Sequence, residues 1–237
     1  MDREQHYETT PPITKRMKIN EYLEHTVLKA DTTPEMIKNV CDEAIANDFK
    51  GICIPPFYVK EAKHLLAEKP DIKLVTVIGF PMGYSATAAK VEEIKRAIND
   101  GADELDVVIN VAAIKAGNWS LVESDVESVT MITHLKGKVI KLITEVGYLT
   151  EDELEKVCNI VTKYSVNYFK TSSGYTGVDT TPEMIAKIRK MLPSDILIKA
   201  SGGVRNLETA KAVIEAGATR IGSSSCVKIV QDAKEKV

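Results

Sequence analysis

Eight short β-branched runs, longer amphipathic segments between them and recurring helix starts predict an α/β chain folded as one (β/α)8 TIM barrel. The runs lie at 26–28, 51–54, 73–78, 104–109, 139–143, 168–170, 196–199 and 220–222. Helix signals fill the gaps. DTTPEMI occurs at 31–37 and again at 179–185, each time offering a Thr N-cap, a Pro at the first helical position and a Glu next. That recurrence fits either internal repetition of the barrel or a chance match of a common helix start. NDGADELDVV at 99–108 and EAGATRIGSS at 215–224 each read as helix, glycine-bearing turn, then strand. An open doubly wound sheet is the weaker alternative, because no GxGxxG follows the first run and no GxxxxGK[ST] occurs. The barrel domain is expected over 18–237, preceded by a flexible or loosely docked extension over residues 1–17.

Composition bounds the function. At 237 residues and 44% hydrophobic content the chain can bury a full core. Its 31 basic and 34 acidic residues leave a net charge of -3, so no overall positive field points to nucleic acid or a membrane surface. A small anionic substrate would need locally placed donors. The first stretch is polar with no apolar signal region, and no run approaches the roughly 18 apolar residues of a membrane span. Cys41, Cys53, Cys158 and Cys226 form no CxxC pair and no zinc-like spacing. Reduced thiols and a cytoplasmic location are therefore expected.

In a barrel the chemistry sits at the C-terminal strand ends. Lys170 closes the sixth run in NYFKTSSGYTG, and Lys199 closes the seventh in ILIKASGGVR. A single lysine ending an apolar strand is usually a snorkelling side chain. Two on adjacent strands are different: if both project into one mouth, each cation penalises protonation of the other, desolvation pushes the same way, and one amine can be neutral near pH 7 and attack a carbonyl. The iminium ion so formed is an electron sink for carbon–carbon bond cleavage, without a metal. Asp106, in DELDVVIN, is either a structural ion-pair partner or a proton relay facing the two lysines. Asp103 and Glu104 read as surface turn residues.

Small-residue segments at 172–174, 201–203 and 222–225 follow the last three runs. Their glycines permit close backbone approach, and their N–H groups and hydroxyls can surround a phosphate. His25, His64 and His134 join no metal-binding or nucleophilic constellation. Cys53 ends the second run, as a pocket-lining or small buried residue. An acid–base phosphosugar barrel enzyme and a noncatalytic phosphometabolite binder are the rival readings.

FKTSSG around Lys170, IKASGGVR around Lys199, DELDVVIN around Asp106 and RIGSSS near the C-terminus resemble the deoxyribose-phosphate aldolase family. EHTVLK at 24–29, GICIPP at 51–56 and VIGFPMG at 77–83 extend the likeness. It implies reversible cleavage of 2-deoxy-D-ribose 5-phosphate to D-glyceraldehyde 3-phosphate and acetaldehyde, in deoxynucleoside catabolism, with no cofactor and no metal. Lys170 would then be the Schiff-base nucleophile, Lys199 the neighbour that lowers its pKa, and Asp106 the proton-relay carboxylate. Gly174, Gly202, Gly203, Ser224 and Ser225 match phosphate-binding positions, and Thr26 and Cys53 match pocket residues. The resemblance also implies a homodimer or homotetramer. Two departures stand out: Glu24-His25-Thr26 where the family often has Asp-His-Thr, and Lys199-Ala200-Ser201 where Lys-Pro-Ala is usual. The longer Glu24 carboxylate is expected to approach Lys199 and to affect activity level, not reaction class.

Overall fold

The computed structural model describes residues 18–235. The expected extension over 1–17 lies outside the described residues. The chain begins β1 (Leu23–Thr26), α1 (Pro34–Asn47), β2 (Gly51–Ile54), α2 (Val59–Leu65), β3 (Lys73–Ile78), α3 (Thr87–Asp100) and β4 (Glu104–Val108). It continues α4 (Val111–Lys115), α5 (Trp119–Leu135), β5 (Val139–Ile143), α6 (Glu151–Lys163), β6 (Tyr168–Lys170) and α7 (Pro182–Met191). The last elements are β7 (Leu197–Ser201), α8 (Leu207–Glu215), β8 (Arg220–Ser223) and α9 (Cys226–Glu235). All eight strands are parallel and pair in sequence order, β1 closing on β8.

Period-two alternation sorts the side chains into two environments. One face of each strand packs outward on the helices, through Leu23, Ile52, Leu74, Leu105, Ile140, Phe169, Ile198 and Ile221, all buried in one apolar cluster. The other face points into the barrel and carries charge. Register places Asp106 beside Lys141, and Lys170 beside Lys199. Branched aliphatics usually fill these inner layers. Here aliphatics dominate the helix-facing shell, and ion pairs occupy much of the interior.

Local signals fix the helix ends as expected. Thr33 and Thr181 accept hydrogen bonds from the Met36 and Met184 amides, each followed by its proline. Gly101, at φ 114°, stops α3 in the left-handed conformation open to glycine. No helix among the described residues is long and apolar enough to cross a membrane. The four cysteines are buried free thiols.

The first strand departs from its expected position at 26–28 and lies at Leu23–Thr26 instead. Polar Glu24 and His25 disguised it. Glu24 faces buried cations inside the barrel, and His25 bonds Glu43 of α1 at 2.6 Å on the outer face. Val27 retains one strand-like bond, its amide to the Cys53 carbonyl at 3.0 Å, and Leu28 already belongs to the mouth. The seventh strand runs to Ser201, beyond the expected Lys199, because its parallel ladder with β8 continues until Ser201 stands beside Gly222.

Candidate active site

Seven charged side chains from six strands meet inside the barrel. Asp106 is their hub: its Oδ2 accepts from Lys170 Nζ and from Lys199 Nζ, each at 2.7 Å, while its Oδ1 accepts from Lys141 Nζ at 3.1 Å. Glu24 from β1 pairs with Lys199, with Lys141 at 3.4 Å and with Arg220 at 2.7 Å. Glu104 pairs with Lys141 at 2.5 Å and Arg220 at 3.3 Å. The network thus holds four cations and three carboxylates. Within it Lys141, Lys199 and Arg220 each face at least two carboxylates, whereas Lys170 faces Asp106 alone.

Burial and charge oppose each other throughout this cluster. Burial pushes the Glu24 carboxyl up, but Lys141, Lys199 and Arg220 overcome it and hold its pKa down at about 2. Asp106 follows the same logic: its three lysines outweigh burial and hold it well below the usual carboxylate range. Burial would strip the Lys199 proton, yet the facing Asp106 and Glu24 raise its pKa, so its ammonium persists. Lys141 is raised likewise, by Asp106, Glu24 and Glu104 against burial. Glu24, Cys53 and Asp106 bring potential ligand atoms within 4.8 Å of one another. Both carboxylates are already engaged by ammonium and guanidinium groups, so the donor set does not fit a metal ion.

Above this network lies a cavity of about 690 Å³ lined by Thr26, Gly174, Gly202, Gly203 and Ser224. Gly174, Gly202 and Gly203 all adopt positive φ. Gly203 has no room for a side chain, because an added Cβ would sit 2.3 Å from Cγ of Asp179. Gly222, also in the wall, leaves space for the Lys199 stem, whose Cε would lie 3.0 Å from an added Cβ. Ser225 does not line this cavity: its amide donates to Ser223 Oγ at 3.0 Å, and its carbonyl accepts from Ile229 in α9. Cys53 lies deeper, fully buried, with Sγ 3.8 Å from Asp106 Oδ2, and burial pushes its thiol up to about 12.

Lys141 and Arg220 escaped the sequence reading, and Glu104 contradicts it. Glu104 is 6% exposed and paired to both cations, not a surface turn residue. The available signal was parity: Glu104, Asp106, Lys141 and Arg220 occupy in-facing strand positions. Glu145 was also missed. It follows β5 in left-handed backbone at φ 53°, and its buried carboxylate accepts the Ser173 amide at 3.2 Å, bracing the loop that carries Gly174.

A closed barrel with a charged centre below a glycine-lined cavity at its C-terminal mouth defines an enzyme of the barrel class. The DeoC/LacD family aldolase profile matches residues 20–232. A deoxyribose-phosphate aldolase of Thermococcus gammatolerans is 45% identical over 219 residues, 92% of this chain and 97% of that one. The solved structure of QR15, an aldolase, aligns with TM-score 0.87 at 33% identity, covering 93% of this chain and 98% of that one. The tetrameric deoxyribose phosphate aldolase of Aeropyrum pernix aligns with TM-score 0.84 at 28% identity, covering 92% of each chain. The chain belongs to the DeoC/LacD family of aldolases.

Proposed function

We propose that this aldolase reversibly cleaves 2-deoxy-D-ribose 5-phosphate to D-glyceraldehyde 3-phosphate and acetaldehyde through a Schiff base on Lys170. The observation that carries the reading is the charge count around Asp106. Four cations face three carboxylates, and Lys170 is the amine held by one carboxylate partner, so it is the least tethered lysine of the network. A neutral Lys170 amine adds to the open-chain aldehyde carbon, and loss of water gives the iminium ion. The C2–C3 bond then breaks as the C3 hydroxyl gives up its proton. Its electrons pass into the iminium as an enamine, and glyceraldehyde 3-phosphate departs. Protonation of the enamine carbon and hydrolysis return acetaldehyde and the free amine.

Asp106, held ionised by the lysines, orients the attacking amine and shuttles protons through its Oδ2 contact. Lys199 stays protonated beside it and supplies fixed positive charge as the carbinolamine loses water. Gly174, Gly202, Gly203 and Ser224 form the phosphate side of the mouth, with Ser225 supporting it from the start of α9. Thr26 lines the same cavity and Cys53 packs beneath Asp106. The family likeness also carries an oligomer of the kind named for the Aeropyrum pernix enzyme, and size-exclusion chromatography showing monomer alone removes that part.

The deciding experiment is intact mass after incubation with deoxyribose 5-phosphate or acetaldehyde plus borohydride, then peptide mapping. A reduced adduct on Lys170 is expected. An adduct on Lys199 reverses the two lysine roles, and no adduct despite phosphosugar binding replaces the mechanism with acid–base chemistry or binding alone.

A further inference from the structure

Alternation along β7 puts Lys199 and Ser201 on the barrel-facing side and Ala200 outside, in the apolar cluster against the helices. Ser201 therefore stands one layer above Lys199, about 6.6 Å nearer the mouth. It is 7% exposed and lines the cavity of about 690 Å³. Its backbone is locked: the amide donates to Thr171 Oγ1 at 3.0 Å, and the carbonyl accepts from the hydroxyls of Thr171 at 3.0 Å and Thr180 at 2.6 Å. The hydrogen bonds of Ser201 among the described residues are all made by that backbone, and the side-chain hydroxyl is left to the cavity.

Other hydroxyls of the cavity wall are engaged or lie further out. Thr26 Oγ1 donates to the Glu24 carbonyl at 3.1 Å, Ser173 Oγ accepts from the Tyr175 amide at 3.1 Å, and Ser223 Oγ donates to the Val204 carbonyl at 2.6 Å. Ser224 is exposed, beyond the end of β8. Gly222, the register partner of Ser201, keeps the space in front of the Ser201 hydroxyl open. A Cβ added there would lie 3.2 Å from Ser201 Oγ, 3.0 Å from Lys199 Cε and 3.7 Å from Lys199 Nζ. The hydroxyl and the ammonium border one gap. A hydroxyl held in a buried wall by a fixed backbone, with its donor and its acceptor capacity free, is a ready contact for a hydroxyl on a ligand.

We propose that Ser201 Oγ hydrogen-bonds the C4 hydroxyl of the sugar phosphate, the one hydroxyl that the cleavage leaves untouched. The inference rests on the aldolase reading above. In that reading C1 is bonded to Lys170 and the C5 phosphate lies against Gly202, Gly203 and Ser224, so the carbon chain between them passes Ser201, two residues after Lys199 and one before Gly202. The C3 hydroxyl gives up its proton at the level of Asp106 and the lysines. C4 is the next carbon toward the mouth, at the level of Ser201. Its hydroxyl departs intact on glyceraldehyde 3-phosphate. An analogue without that hydroxyl leaves the serine unpaired in a buried wall, which makes Ser201 a specificity-determining residue.

The test is a cycle of two enzymes and two ligands: the parent and Ser201→Ala, each with deoxyribose 5-phosphate and with its 4-deoxy analogue, a 2,4-dideoxypentose 5-phosphate. Acetaldehyde release gives kcat/KM for deoxyribose 5-phosphate, and inhibition of that release gives Ki for the analogue. Ser201→Ala keeps every backbone bond of the residue and removes the hydroxyl alone. Its kcat/KM for deoxyribose 5-phosphate should fall about tenfold, the scale of one hydrogen bond in a buried site. Its Ki for the analogue should stay within about twofold of the parent's, because no C4 hydroxyl is there to lose a partner. A distorted mouth would weaken both ligands alike, so parallel losses overturn the inference. A variant that cleaves deoxyribose 5-phosphate as well as the parent overturns it too. Absence of acetaldehyde from deoxyribose 5-phosphate with the parent removes the aldolase reading and this inference together, whereas acetaldehyde release with parallel losses removes this inference alone.

Discussion

Replacing Glu24 by Gln removes one of three carboxylates from a network that already holds four cations. The variant leaves those cations facing Glu104 and Asp106 alone, with Lys199 keeping only Asp106 and Arg220 only Glu104. Two routes give the size of the effect. Lowering the Glu24 pKa from 4.5 to about 2 corresponds to roughly 3 kcal/mol of folded-state preference for the carboxylate. Breaking a buried ion pair by deleting one partner costs about 3–5 kcal/mol. At a few degrees per kcal/mol for a domain of this size, the melting temperature should fall by roughly 10 °C near neutral pH. The sign of the pH dependence follows from the depressed folded pKa. The carboxylate's contribution is complete above the unfolded value of 4.5 and is lost as pH falls through about 2. Melts of both proteins followed by circular dichroism should therefore converge across that window. A variant melting within about 2 °C of the parent near neutral pH, or a gap that widens in acid, would refute the assigned charge balance.

Two other substitutions probe separate parts of the molecule. Gly203→Ala drives a methyl group into Asp179 at a residue with φ 79°, displacing the glycine-lined side of the mouth where the phosphate is proposed to bind. The KM for deoxyribose 5-phosphate should rise roughly 10–100-fold while acetaldehyde still forms the borohydride adduct, as read by kinetics and mass spectrometry. Lys90 lies outside the ion network of the barrel interior, fully buried, bonding Asp125 at 2.7 Å and the Val108 carbonyl at 2.8 Å. Lys90→Met should cost about 3–5 kcal/mol in urea unfolding, and adding Asp125→Leu should recover part of that loss, because the single change strands a buried carboxylate.

Most strands and helix starts were legible in the sequence because their signals are local: β-branched runs, Thr-Pro-Glu starts and glycines after helices. Lys170, Lys199 and Asp106 were legible because each closes or interrupts an apolar run, where an isolated charge needs a reason. The companions of Asp106 were harder to read. Glu104 sits in ADELDV, beside a real turn, and only the pairing of β4 with β5 and closure through β8 show that it faces inward. Lys141 in VIKLI and Arg220 in TRIGSS pose the same difficulty, since register between distant segments is not encoded in any one of them. Tyr175 is a polar-loop aromatic whose hydrogen-bond partner, Leu28, lies 147 residues away. The misplaced first strand has the same origin: Glu24 is tolerated there because Lys141, Lys199 and Arg220 arrive from strands distant in sequence.

That ion cluster also bears on how the chain acquires its structure. A growing chain that has placed β1 to β6 holds Glu24, Glu104 and Asp106 but only Lys141 and Lys170; Lys199 and Arg220 come with the last two strands. An incomplete barrel would have to seal an excess of negative charge away from water, or leave its centre hydrated and open. The charges therefore act as a completion check, penalising dry partial barrels. Excision of β7 and β8 should leave a swollen, wet-centred chain and not a smaller native barrel.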